Sequence, residues 1–105
     1  MRILLDACVP RPLRNILSAH TVQTAQEMGW GDLKNGDLLK AAELQFDAFL
    51  TSDQNLKYQQ NLAGRKLAIL VLPSNDWPTL KRLGNKVSDQ TAALKPGDFV
   101  EMNLD

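Results

Sequence analysis

Cysteine and histidine occur once each in the chain, as Cys8 and His20. A single thiol forms no internal disulfide, and one thiol with one imidazole falls short of a structural zinc site. Thiol-nucleophile chemistry would need His20 beside Cys8, whereas a lone small thiol is more often a packing residue. The formal net charge is zero, which argues against a nucleic-acid binder that works by bulk positive charge. The longest apolar run, Leu67 to Leu72, is far too short to span a bilayer. The opening MRILLDACVP places Asp6 where a secretion signal needs an apolar core, so the expected compartment is the cytoplasm. Repeats, low-complexity tracts and linkers are also missing, which leaves a single domain over 1–105 as the expectation.

What is present is a core-forming content of 44% hydrophobic residues, enough to set disorder aside. The charges are unevenly spread. Residues 1–53 hold five bases and seven acids, whereas 54–95 hold seven bases against Asp76 and Asp89. A solvated mixed surface explains that lean without any binding face.

Short apolar runs alternate with helical patterns. Ile3-Leu4-Leu5 reads as a buried strand ending at Asp6. Pro10 and Pro12 fit the first turn of a helix with Val9, Leu13, Ile16 and Leu17 on one face. A weak second strand is expected at His20–Thr24, then a loop from Gly29 to Gly36. The next helix should carry Leu38, Ala41, Ala42 and Gln45 on one face, and Phe46–Leu50 should form the third strand. Asn55 to Leu62 reads as a polar turn or short helix. Leu67–Leu72 is the clearest strand, Asp76 and Pro78 open a last helix using Leu80, Leu83 and Val87, and Phe99–Met102 closes the chain as a strand. Strands apolar on both faces, alternating with helices, indicate a three-layer α/β/α domain around a mostly parallel sheet.

In such folds a site forms beyond the C-terminal ends of the strands, where strand order reverses. Asp6 and Asp53 are each the first carboxylate past the end of a strand. A crossover helix runs antiparallel to its strands, so Asp37, at the start of one, faces the same edge. Each has a local explanation: Asp53 an Asx turn, Asp6 a cap for the helix after Pro10, and Asp37 a first-turn acid behind an Asn35 cap. Three acids crowded at one edge would repel unless a cation were present. Hard oxygen donors suit Mg²⁺ or Mn²⁺, which activates a water and clamps a phosphate.

The stretches "RILLDACVPRPL", "GWGDLKNGDLLKAAELQFDAFLTSDQNL" and "YQQNLAG" followed by "LAILVL" resemble the PIN-domain family of ribonucleases, specifically the small PIN-like proteins related to VapC toxins. The resemblance spans about residues 1–73, and the last helix and strand fit by element order. It implies a PIN-like fold and a metal-dependent endoribonuclease, usually the toxin of a toxin–antitoxin pair, neutralised by a small partner protein, with a homodimer as the expected assembly. Asp6, Asp37 and Asp53 would then be the catalytic acids and hold Mg or Mn, with Thr51 or Ser52 orienting a carboxylate or water from behind. Arg11, Arg14 and Lys57 would meet flanking phosphates of the RNA, and Tyr58 and Gln59 its unpaired bases. Two departures stand out. Ala7 follows Asp6 where relatives of this type often carry glutamate, and the mid-chain glutamate of larger PIN domains has only Glu27 or Asp32 to match it.

Other acidic α/β sites fit less well. A phospho-accepting receiver needs paired acids after the first strand and a lysine after the last, and an aspartate-nucleophile phosphatase needs Asp-x-Asp where this chain has Asp6-Ala7-Cys8. The competing reading is a PIN-like binding module that holds RNA or a partner protein without cutting. Trp30 and Trp77 would be its anchors, unless they pack in the core.

Overall fold

The computed structural model describes residues 1–56 and 64–104. Five strands, β1 (Arg2–Leu5), β2 (Thr21–Thr24), β3 (Ala48–Thr51), β4 (Ala68–Val71) and β5 (Phe99–Glu101), form one sheet in the order β2-β1-β3-β4-β5. Every neighbouring pair is parallel. Parallel strands need both faces covered, and the sequence supplies apolar side chains in both directions. Ile3 and Leu5, Ala48 and Leu50, and Ala68 and Leu70 point to one face, where Leu13, Leu80 and Val87 meet them. Leu4, Phe49, Ile69 and Val71 point to the other, packed with Leu38, Leu39 and Ala42. The result is a three-layer α/β/α domain with a parallel central sheet.

Among the described residues one layer holds α1 (Asn35–Gln45); the other holds α2 (Trp77–Arg82), α3 (Gly84–Ala92) and a 3₁₀ segment, Arg11–Asn15. That segment corrects the expected helix after Pro10. Leu13, Ile16, Leu17 and His20 each donate their N–H to the carbonyl three residues back. Pro12 supplies no N–H at all, and the chain closes its turns with i→i+3 bonds instead. The expected inward residues nonetheless hold: Val9, Leu13 and Leu17 are buried and Ile16 packs beside them.

Three further expectations are corrected in detail. In α1 the buried set is Leu38, Leu39 and Ala42, while Gln45 is exposed. Phe46 belongs to the end of that helix, its N–H donating to the Ala42 carbonyl at 2.8 Å, so β3 starts later and reaches Thr51. The last helix breaks at Leu83. Asp76 does open it, accepting from the Thr79 N–H and hydroxyl at 3.2 and 2.7 Å. Trp30 and Trp77 are both partly buried against the core, Trp30 edge-on to Phe46 with centroids 6.1 Å apart. Among the described residues no helix is long and apolar enough to cross a membrane.

The turn into β5 depends on Gly97. Its φ is +84°, its N–H donates to the Lys66 carbonyl at 2.8 Å, and a Cβ would lie 3.3 Å from the Arg65 carbonyl oxygen. Gly97→Ala should therefore cost about 1–2 kcal/mol in urea unfolding. An unchanged midpoint would show that the turn adapts.

Candidate functional site

The register of β1 on β3 pairs Leu5 with Leu50, and the ladder runs one step further, the Asp6 N–H donating to the Leu50 carbonyl at 2.9 Å. Asp6 is thus carried to the side of Thr51, the last residue of β3. Thr51 is fully buried, where an unpaired hydroxyl would be costly, and its Oγ1 donates to Asp6 Oδ2 at 2.7 Å. The same oxygen accepts the Asp53 N–H at 3.1 Å. One buried hydroxyl therefore ties Asp6 to the backbone of Asp53. β1 lies between β2 and β3, so the pair occupies the point where strand order reverses.

The Asp53 carboxylate is held on both oxygens. Oδ1 accepts the Asn55 N–H at 3.0 Å, the expected Asx turn, and Oδ2 accepts from Asn35 Nδ2, also at 3.0 Å. Asn35 is not the cap of α1. Lys34 occupies that position without a side-chain bond, and Asn35, the first helical residue, reaches across to Asp53. Asp37 lies in the same first turn and is exposed. Asp6 does not cap the 3₁₀ segment either: its Oδ1 accepts the neighbouring Ala7 N–H at 2.8 Å.

Cys8 and Ser52 complete this edge. The Cys8 thiol donates to Asp6 Oδ2 at 3.5 Å and the Ser52 hydroxyl donates to Cys8 Sγ at 3.0 Å. His20 is elsewhere, its Nδ1 3.2 Å from the Met1 amino group, so the thiol has no imidazole beside it.

Of the expected phosphate contacts, Arg11 is exposed with no acid paired to it among the described residues. Arg14 is paired with Glu27, Nη2 to Oε1 at 2.5 Å. Glu27 Oε1 also accepts the Thr24 N–H at 2.9 Å, while the Glu27 N–H donates to Thr24 Oγ1. That backbone bond first, and Arg14 second, hold its carboxyl below the usual range. Lys57, Tyr58 and Gln59 lie outside the described residues.

The donor chemistry at Asp6 and Asp53 suits a hard cation. A carboxylate offers about four acceptor positions, and the Asp53 bonds described use two of them. Mg²⁺ keeps several waters and commonly takes only one or two protein carboxylates together with substrate phosphates. Among the described residues no three His, Cys, Asp or Glu side chains gather into a group that could hold a metal ion. A cleft of about 460 Å³ lies at the other end of the strands from these acids, between Met1, Phe46, Leu67 and Lys95.

Sequence reasoning missed Asn35 as a site residue because Asn-Gly reads locally as a turn. It also missed the Arg14–Glu27 pair, since nothing in the spacing of residues on separate segments announces it. No protein-family model, no curated protein and no solved structure matches the chain.

Proposed function

We propose that the chain is a PIN-like, metal-dependent endoribonuclease acting as the toxin of a toxin–antitoxin pair. The observation that carries this reading is the placement of Asp6 and Asp53 at the ends of adjacent parallel strands, joined through the Thr51 hydroxyl at the switch point. Asp6 and Asp53 would hold Mg²⁺ or Mn²⁺, and Asp37, which does not gather with them among the described residues, would join them only by an inward movement of the first turn of α1. When bound, such an ion lowers the pKa of a water and neutralises charge on a phosphodiester.

The chain's own contribution is orientation. Thr51 fixes Asp6 by one hydrogen bond and the Asp53 backbone by another. Ser52 directs its hydroxyl at Cys8 and keeps the thiol beside Asp6. Arg11, exposed shortly after Asp6, would meet a backbone phosphate, whereas Arg14 would first have to leave Glu27. A small antitoxin protein and a second copy of the chain are the partners this reading proposes.

The test is Mn²⁺ binding by calorimetry on wild type and Asp53→Asn, with RNA cleavage followed on the same preparations. Wild type should bind and cleave, and the variant should lose both. Absence of both activities in the wild type at millimolar metal would reject the nuclease.

A second reading is favoured by one observation, that no three potential ligands gather among the described residues. In it the domain binds RNA or a partner protein without hydrolysis. Retention of RNA by a protein that never cuts, whatever the metal, would select it.

A further inference from the structure

We propose that Asn35 is a positioning residue that presents the Asp53 carboxylate to a divalent cation; the inference rests on the metal-dependent reading above. The bond from Asn35 Nδ2 to Asp53 Oδ2, 3.0 Å, joins residues 18 apart in the chain. It completes a three-point hold on Asp53, whose other oxygen is fixed by the Asn55 N–H and whose own N–H is fixed by Thr51. With a donor on each oxygen, the carboxylate plane cannot swing about χ2, and each oxygen still has a lone pair to give. Removing the amide leaves Oδ1 as the only anchored oxygen.

Helix formation does not account for asparagine here. The cap position belongs to Lys34, no side-chain cap bond is made, and asparagine is a modest helix former in the first turn it occupies. The chemistry of an amide does account for it. A lysine or arginine in this place would orient Asp53 equally well but would neutralise it and compete with a cation. A neutral donor orients the carboxylate and leaves its charge available. Metal-ligating carboxylates are commonly held this way by outer partners. The bond also fastens the first turn of α1 to the β3 edge, and Asp37 travels on that turn.

The experiment titrates Mn²⁺ into the full chain by calorimetry for wild type, Asn35→Ala and Asn35→Ser, with thermal unfolding and RNA cleavage measured alongside. Alanine favours the helix, and serine suits a helix start but is too short to reach Asp53. Both variants should bind Mn²⁺ about 10–100-fold more weakly, unfold at the wild-type temperature, and regain cleavage when the metal is raised to saturation. Wild-type affinity in both variants would overturn the proposal while leaving the nuclease reading intact. A wild type that binds no Mn²⁺ would overturn both together. Affinity that falls only in step with unfolding temperature in both variants would make Asn35 a residue of the fold and overturn the proposal alone.

Discussion

Phe49→Ala should remove about 3–5 kcal/mol of stability, the largest loss expected from a single substitution in this chain. Phe49 is 1% exposed on the middle strand, its neighbours in register are Leu4 and Ile69, and it faces the layer formed by α1. The cavity would open where two strands and a helix meet, and none of them can close it alone. A domain of this size has about 5–15 kcal/mol in total, so the variant should unfold at far lower urea. Leu44, 85% exposed on the opposite side of α1, serves as control: its replacement by alanine should change stability by less than about 0.5 kcal/mol. A small loss at Phe49 would mean that α1 settles onto the sheet more freely than its packing indicates.

On the proposed nuclease reading, Asp6→Asn should do the reverse, sparing the fold and ending cleavage. The amide has the size of the carboxylate, and its oxygen can still accept from the Thr51 hydroxyl now 2.7 Å away. Stability should therefore change by about 1 kcal/mol, the worth of an ordinary hydrogen bond. What disappears is the negative charge. If charge stabilisation by a bound cation contributes several kcal/mol, then at about 1.4 kcal/mol per decade the rate should fall on the order of a thousandfold. Single-turnover cleavage of a labelled RNA measures this, with urea unfolding of the same protein as the reference. Full activity in a folded variant would remove Asp6 from the reaction. One substitution lies just past the end of β1 and the other within the neighbouring β3, so their contrast separates what holds the sheet from what its edge does.

The sheet was legible because its strands are apolar on both faces. Ile3-Leu4-Leu5 and Leu67–Leu72 need no periodicity to declare a buried parallel strand, and their alternation with helical stretches gives the layers. The convergence of Asp6 and Asp53 followed from topology, since parallel strands end on one side. The segment after Pro10 was misread because its apolar spacing fits an α-helix while its two prolines favour tighter turns. Asn35 was misread for a different reason. Its role depends on a partner 18 residues away, and local grammar offers a sufficient explanation of Asn-Gly without one. Pairings between distant segments, such as Arg14 with Glu27, leave no trace in spacing at all.

The central place of β1 governs the order in which the molecule can be made. β1 pairs with β2 on one side and β3 on the other, and its register partner for Ile3 on the β3 side is Ala48. At a ribosomal pace of about 5–20 residues per second, Ala48 emerges on the order of a few seconds after Ile3. During that interval β1, apolar on both faces, has both edges open until Thr21–Thr24 emerge, and the β3 edge open throughout. Parallel pairings between distant segments also form slowly once the chain is released. The nascent chain is thus most exposed to wrong strand pairing before residue 48 appears, and a chaperone that covers Ile3–Leu5 would act in that window.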